Sequence, residues 1–316
     1  MPEPVSNKIF VALATYAEYG DAPLKLLKES GFPYILNTLG KRLSRDEIID
    51  LGRDSEGVIA GIEPYDDYVL DRLPYLRCIS RCGVGIDNIS VETARKKGIK
   101  IFNTPDVVIQ PVAELTIAMI FDLLRKLSFH TMLLKSKTWK KSGGHLLAGK
   151  KVGVLGLGRI GKKVAEILLK LDAEVYGTDI VPDGRWAEKT GIKIVPLDEL
   201  LRLSDIITIH VSINKNNGPI FGEKEISAMK KGSLLINTAR GQVVDESALY
   251  NALKKKHLEG AALDVFPEEP YLGKLCELEN IVMTPHIATL TEESRAQMEI
   301  EATLNIINYF KSESLA

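Results

Sequence analysis

The chain has 316 residues, enough for about two domains, and its 45% hydrophobic and 26% charged composition suits a globular protein with a sizeable core. A formal charge of −1 offers no basic surplus for nucleic acid or an anionic membrane, and no apolar run approaches the ~20 residues that span a bilayer. Cys78, Cys82 and Cys276 form neither a metal-binding spacing nor a disulfide framework, and Met1-Pro2-Glu3-Pro4 does not read as a signal peptide. No metal is therefore expected, and the expected compartment is a reducing cytoplasm.

In chain order, short buried strands are expected at Lys8 to Ala14, Gly57 to Ala60, Leu76 to Ser80 and Ile99 to Phe102. Helical patterns run between them at Ala22 to Ser30, Ser44 to Gly52 with Ser44 as N-cap, and Ser90 to Lys97. Strands alternating with helices imply parallel βαβ units and a first α/β domain. Gln110 to Leu127 reads as one long apolar-periodic helix with no strand after it, a connector between domains. Ser128 to Gly149 is less regular and carries Trp139, which suits an arm packed on a second subunit.

From Lys151 strands recur at 151–155, 173–178, 192–195, 205–210, 233–238, 260–265 and 281–284. Helices are expected at 160–171, 198–203, 223–230 and 245–256, and Glu292 to Phe310 forms a last helix that returns to the first domain. This second series fits a doubly wound sheet.

Its opening carries the most readable chemistry. Val152 to Leu155 leads into Gly156-Leu157-Gly158-Arg159-Ile160-Gly161, and Ile160, Val164, Ile167, Leu168 and Leu171 then repeat at helical spacing. Gly156 permits the tight turn, Gly158 lets backbone approach a pyrophosphate, and Gly161 lets helix pack on strand. The pyrophosphate sits on the helix N-terminus, where the dipole favours negative charge. Asp179, 23 residues after Gly156, ends the next strand and accepts from ribose hydroxyls, while its charge repels a 2′-phosphate. The cofactor expected is NAD rather than NADP.

Ligands in such sheets bind beyond the carboxyl ends of the strands. That rule selects His210, the run Asn237 to Gly241, the run Asp264 to Pro270, and Thr284-Pro285-His286. An arginine, a carboxylate and a histidine from these runs suffice for hydride transfer on a 2-hydroxy acid. Arginine grips a carboxylate bidentately, and histidine exchanges the hydroxyl proton while a paired acid fixes its tautomer. His130, His145 and His257 fall in helical or connector context and read as packing residues, and Cys82 reads as a small buried filler.

These stretches, with Arg81-Cys82-Gly83-Val84-Gly85-Ile86-Asp87-Asn88, Asn103-Thr104-Pro105 and Val112-Ala113-Glu114-Leu115, strongly resemble the D-isomer-specific 2-hydroxyacid dehydrogenases, in the phosphoglycerate dehydrogenase-like branch. The resemblance covers nearly the whole chain. It implies an α/β protein of two Rossmann-like/flavodoxin-like domains with doubly wound parallel sheets. A discontinuous substrate-binding domain, 1–105 plus 291–316, is interrupted by an NAD-binding domain, 106–290.

Carried over by position, the resemblance makes Arg240 the substrate-binding arginine, His286 the general acid/base and Glu269 its partner, leaving Glu268 without a role. Asp264 matches the acid facing the nicotinamide carboxamide. Thr238 and Ala239 line the cofactor, Arg159 and Ile160 flank the pyrophosphate, and His210 and Val211 line the cofactor cleft. Val84 and Gly85 match a loop whose backbone amides hold the substrate carboxylate, an anion nest in physical terms. Arg81 is left as the only phosphate candidate, because Val58 to Ile62 lacks the arginine that phosphoglycerate dehydrogenases carry there. His210-Val211-Ser212 also departs from a frequent His-x-Pro turn. The partner is thus a 2-hydroxy/2-oxo acid. Glyoxylate/hydroxypyruvate reduction stands beside 3-phosphoglycerate oxidation, and an NAD-sensing corepressor-like binding protein is the rival from another class. Homodimerisation through the nucleotide domains and the 128–149 arm is expected by the same analogy.

Overall fold

Two compact units make up the chain: one runs up to Val108 and resumes at Leu290, the other is Ile109–Thr289. The computed structural model describes residues 7–212 and 219–313. The Met1-Pro2-Glu3-Pro4 segment and the last three residues of the expected 291–316 piece lie outside the described residues.

The first unit is built on β1 (Ile9–Val11), α1 (Ala22–Ser30), β2 (Tyr34–Leu36), α2 (Arg45–Gly52), β3 (Gly57–Ala60), α3 (Asp67–Asp71), β4 (Cys78–Arg81), α4 (Val91–Lys96) and β5 (Lys100–Phe102). Its five strands pair in parallel in the order β2-β1-β3-β4-β5. β1 and β3 are apolar runs buried at every position because helices cover both faces of the sheet. Ile48, Val69, Leu70 and Ala94 pack on one face against Phe10, Val58 and Ile79. On the other, a C-terminal helix (Glu292–Glu313) places Ile306 and Phe310 so close to Gly57 that a Cβ there would lie 2.9 Å from Phe310 Cζ. Ser44 begins α2 as expected. Its side chain accepts from the Glu47 amide, and the Glu47 carboxylate accepts from the Ser44 amide in return.

In the second unit come α5 (Ile109–Arg125), α6 (Leu127–Lys135), β6 (Lys151–Leu155), α7 (Arg159–Lys170), β7 (Glu174–Thr178), α8 (Gly184–Thr190) and β8 (Lys193–Ile194). There follow α9 (Leu197–Leu203), β9 (Ile206–Ile209), α10 (Glu223–Ala228), β10 (Ser233–Asn237), α11 (Glu246–Lys254), β11 (Leu258–Leu263) and β12 (Ile281–Met283). The seven strands are parallel in the order β12-β11-β10-β9-β6-β7-β8, with the reversal of direction between β6 and β9. Ala113, Met119, Ile120 and Leu124 of α5 join Val164, Ala165 and Leu168 of α7 on one face. Leu200, Ile226, Leu249 and Leu253 cover the other. This is the fold class expected, with helices on both faces of both sheets.

Several elements differ from the reading of the sequence. β2, α3 and α8 were not anticipated. The long helix ends at Arg125 rather than at 127, because Lys126 turns left-handed at φ 56°. α6 then starts where an irregular arm was expected, its first turn held by the Asp122 carboxylate, which accepts from the Ser128 amide at 2.8 Å. Nor is α5 a bare connector: it is a core helix of Ile109–Thr289.

Candidate active site

In the glycine turn after β6, Gly156 and Gly161 each meet a close backbone approach. Gly156 has φ +89°, and a Cβ there would lie 2.6 Å from the His210 carbonyl oxygen. A Cβ on Gly161 would come within 1.9 Å of the Gly156 carbonyl oxygen, so α7 seats on the turn only without a side chain. Gly158 opens α7 with no side-chain cap and open space around it, and its helix begins at Arg159. An uncapped helix N-terminus with a bare approach fits a pyrophosphate.

Asp179 follows β7 and spans the turn: one carboxylate oxygen accepts from the Leu157 amide at 2.6 Å, the other from the Val181 amide at 3.0 Å. Ile160 is half-buried against the α5–α7 core, and Val211 packs on the opposite one. His210 lies at the end of β9, its Nε2 2.9 Å from the Thr208 hydroxyl, and burial pushes its pKa down to about 3. A ring held neutral there has no proton work to do.

The loops after β10, β11 and β12 emerge side by side because those strands are neighbours in the sheet. Asn237 braces the first: its carbonyl accepts from the Ala239 amide at 3.0 Å and its NH2 donates to the Arg240 carbonyl at 2.9 Å. Thr238 turns its hydroxyl inward to Thr116 of α5 at 2.9 Å. Arg240 is half-buried and donates from Nη1 to the Ala239 carbonyl at 2.7 Å. Gly241 then lies against the second loop so closely that a Cβ would sit 1.9 Å from the Phe266 carbonyl carbon.

Glu269 is gripped at both ends. Oε1 accepts from the Phe266 amide at 3.1 Å, and Oε2 meets His286 Nδ1 at 2.9 Å. The neighbouring Glu268 is exposed. His286 takes a left-handed φ of 56°, uncommon for a residue with a side chain. What holds it there is Asp264, wholly buried beneath the loop. One Asp264 oxygen accepts from the Thr284 hydroxyl at 2.5 Å and the Ile287 amide at 2.8 Å, the other from the Ala288 amide at 2.9 Å. Burial raises the Asp264 pKa, against the pull of these bonds and of the nearby His286. Asn237 and Asp264 are thus braces that sequence reasoning did not see, although both stand in the runs it selected.

In the first unit, Arg81 ends β4, and its Nη1 donates to the Cys82 carbonyl at 2.6 Å. Thr104 clamps the next residue, accepting from the Gly83 amide at 2.8 Å and donating to the Gly83 carbonyl at 3.0 Å. Asn103 Nδ2 donates to the Val84 carbonyl at 2.9 Å. Among the described residues the Val84 and Gly85 amides serve no protein acceptor. Cys82 is a buried thiol pushed up to about 12 by burial, as a filler would be. His130 spends Nδ1 on the Lys126 carbonyl and Nε2 on Ser142, and His257 spends Nε2 on the Ile226 carbonyl. No cluster of metal ligands occurs among the described residues.

The chain belongs to the D-isomer specific 2-hydroxyacid dehydrogenases: residues 117–288 match the family's NAD binding domain. It is an NAD-dependent oxidoreductase acting on the CH–OH group of 2-hydroxy acids. It is similar to the glyoxylate reductase of Thermofilum pendens, 38% identical over 282 residues that cover 85% of this chain and 83% of that protein. It is 37% identical over 278 residues to the D-3-phosphoglycerate dehydrogenase of Methanocaldococcus jannaschii, covering 86% of this chain but only 52% of that one. D-lactate dehydrogenase from Aquifex aeolicus, solved with NAD and lactic acid, shares the fold with a TM-score of 0.83 at 30% identity, covering 98% of this chain and 96% of that one.

Proposed function

We propose that the chain reduces short, unphosphorylated 2-oxo acids such as glyoxylate or hydroxypyruvate, with His286 as the acid/base. The observation that carries the reading is the 2.9 Å bond between His286 Nδ1 and a Glu269 carboxylate that is itself tethered to the Phe266 amide. With Nδ1 committed, Nε2 is the nitrogen left to give a proton to the substrate oxygen, and the carboxylate supports the imidazolium before transfer. Arg240 binds the substrate carboxylate and polarises the reacting carbonyl. Within the first unit, the Val84 and Gly85 amides form an anion nest suited to a carboxylate.

The Gly156 to Gly161 turn would hold the pyrophosphate of NAD(H) and Asp179 its ribose, and the hydride exchanged with substrate C2 would come from or go to that group when bound. Arg159, Ile160, His210, Val211, Thr238 and Ala239 complete the cofactor's surroundings in this reading, while Asp264, wholly buried with both oxygens taken by Thr284, Ile287 and Ala288, braces the loop from beneath rather than facing the nicotinamide carboxamide. On this assignment Ile109–Thr289 is the nucleotide unit, and the other unit binds the acid. Exposed apolar side chains along the arm, with Trp139 82% and Leu146 73% accessible, support a homodimer. The buried free thiols of Cys78 and Cys82 accord with a cytoplasmic setting. No helix among the described residues is long and apolar enough to cross a membrane.

The test is loss of NADH absorbance with a panel of 2-oxo acids, for the natural protein and His286→Asn. The natural protein turns over, and the variant loses at least a hundredfold in kcat, within the usual reach of general acid–base catalysis. A variant retaining normal rate and pH profile refutes the role of His286.

A further inference from the structure

The sheet of the first unit reverses direction between β1 and β3, and in such sheets the crevice beyond the carboxyl ends at that point is where a ligand lies. There the chain reads Gly61-Ile62-Glu63. The Glu63 carboxylate folds back and accepts from the Gly61 amide at 2.8 Å, leaving the residue 4% exposed. A Cβ on Gly61 would lie 2.8 Å from Leu13 Cδ2 and 3.0 Å from Glu63 Oε2. No longer side chain of either charge fits at 61 while that acid is in place.

Asn88 ties this turn to the segment that follows the Val84-Gly85 loop. Its Nδ2 donates to the Gly61 carbonyl at 3.1 Å and to the Glu63 carbonyl at 2.6 Å. Glu63 also lies within electrostatic reach of Arg81, the cation that ends β4, and of Arg42. The loop's amides provide for one carboxylate. The field of Arg81, which a second anionic group would need, is opposed by an acid that the fold has locked in position. Burial raises the Glu63 pKa against the pull of the Gly61 amide and of Arg42 and Arg81, and it leaves the charge of the ionised carboxylate weakly screened.

We propose that Glu63 is a specificity-determining residue that turns away 2-oxo acids carrying a second anionic group, whether phosphate or carboxylate. The inference rests on the substrate-binding role given above to this unit. It predicts that the natural protein favours hydroxypyruvate over 3-phosphohydroxypyruvate and over oxaloacetate by at least tenfold in kcat/KM. Glu63→Gln keeps an oxygen for the Gly61 amide and removes the charge. In that variant the ratio moves at least tenfold toward the dianionic substrates, through KM rather than kcat, for both of them. Glu63→Asp, which keeps the charge, retains the preference.

A natural protein that reduces hydroxypyruvate and its phosphate equally well overturns the proposal, with no variant required. So does an unchanged ratio in Glu63→Gln. A gain for the phosphate alone overturns the general charge argument. If no 2-oxo acid is reduced at all, the dehydrogenase substrate reading has failed, and this inference falls with it.

Discussion

Replacing Asp264 by asparagine removes one acceptor and adds a donor where three bonds now converge. The carboxylate takes the Thr284 hydroxyl and the Ile287 amide on one oxygen and the Ala288 amide on the other. Asparagine has a single carbonyl oxygen, so whichever way it is turned, its NH2 faces at least one donor. With the residue wholly buried, that donor is left without a partner, at a cost of about 1–3 kcal/mol. For a unit of this size the loss corresponds to a melting temperature lower by roughly 2–12 °C. The strain is local to the segment that presents His286, so kcat should also fall, by up to about 150-fold if the whole penalty opens that segment. Calorimetry together with stopped-flow reduction of glyoxylate reads both quantities. An Asp264→Asn protein that melts within a degree of the natural one and keeps its kcat refutes the bracing role. Because burial raises the Asp264 pKa, its contribution to stability is full below the ordinary carboxyl value and declines as pH rises through the raised one. The asparagine variant lacks that slope.

Asp179→Ala removes the acceptor of the Leu157 amide and the charge facing a 2′-phosphate. The KM for NADH should rise and the NADPH/NADH preference shift at least tenfold toward NADPH; an unchanged preference counts against the ribose assignment. His210 is held neutral, its pKa pushed down to about 3 by burial, so the unfolded chain binds a proton that the fold refuses. Stability present above about pH 6.5 is therefore lost as pH falls from there toward 3. His210→Gln should narrow the drop in urea midpoint between pH 7 and 4.5, and parallel midpoints for the two proteins would contradict this.

The nucleotide turn was legible because Gly156 and Gly161 answer separate steric demands within six residues, with Gly158 leaving the helix N-terminus bare between them. The strand-end rule likewise selected the runs that carry Arg240, Glu269 and His286, since it needs only the strand boundaries, and the 2.9 Å bond between Glu269 and His286 joins two of those runs. The rest depended on partners that sequence spacing does not reveal. Thr238 spends its hydroxyl on Thr116, 122 residues away, and Asp264 closes on 284–288. β2 is a three-residue edge strand and α3 a single turn and a half, too short for a periodicity to register. The left-handed Lys126 and the Asp122 tether that restart the chain as α6 carry no glycine or proline to announce them. Glu63 escaped notice because its consequence lies in a fold-back onto Gly61 rather than in any motif.

The contact at Gly241 bears on how such a protein can be re-engineered. With the Phe266 carbonyl carbon 1.9 Å from where a methyl group would go, the arginine loop and the glutamate loop behave as one casting. A library that randomises residue 241 would spend nearly all its members on chains in which these two loops have been pried apart.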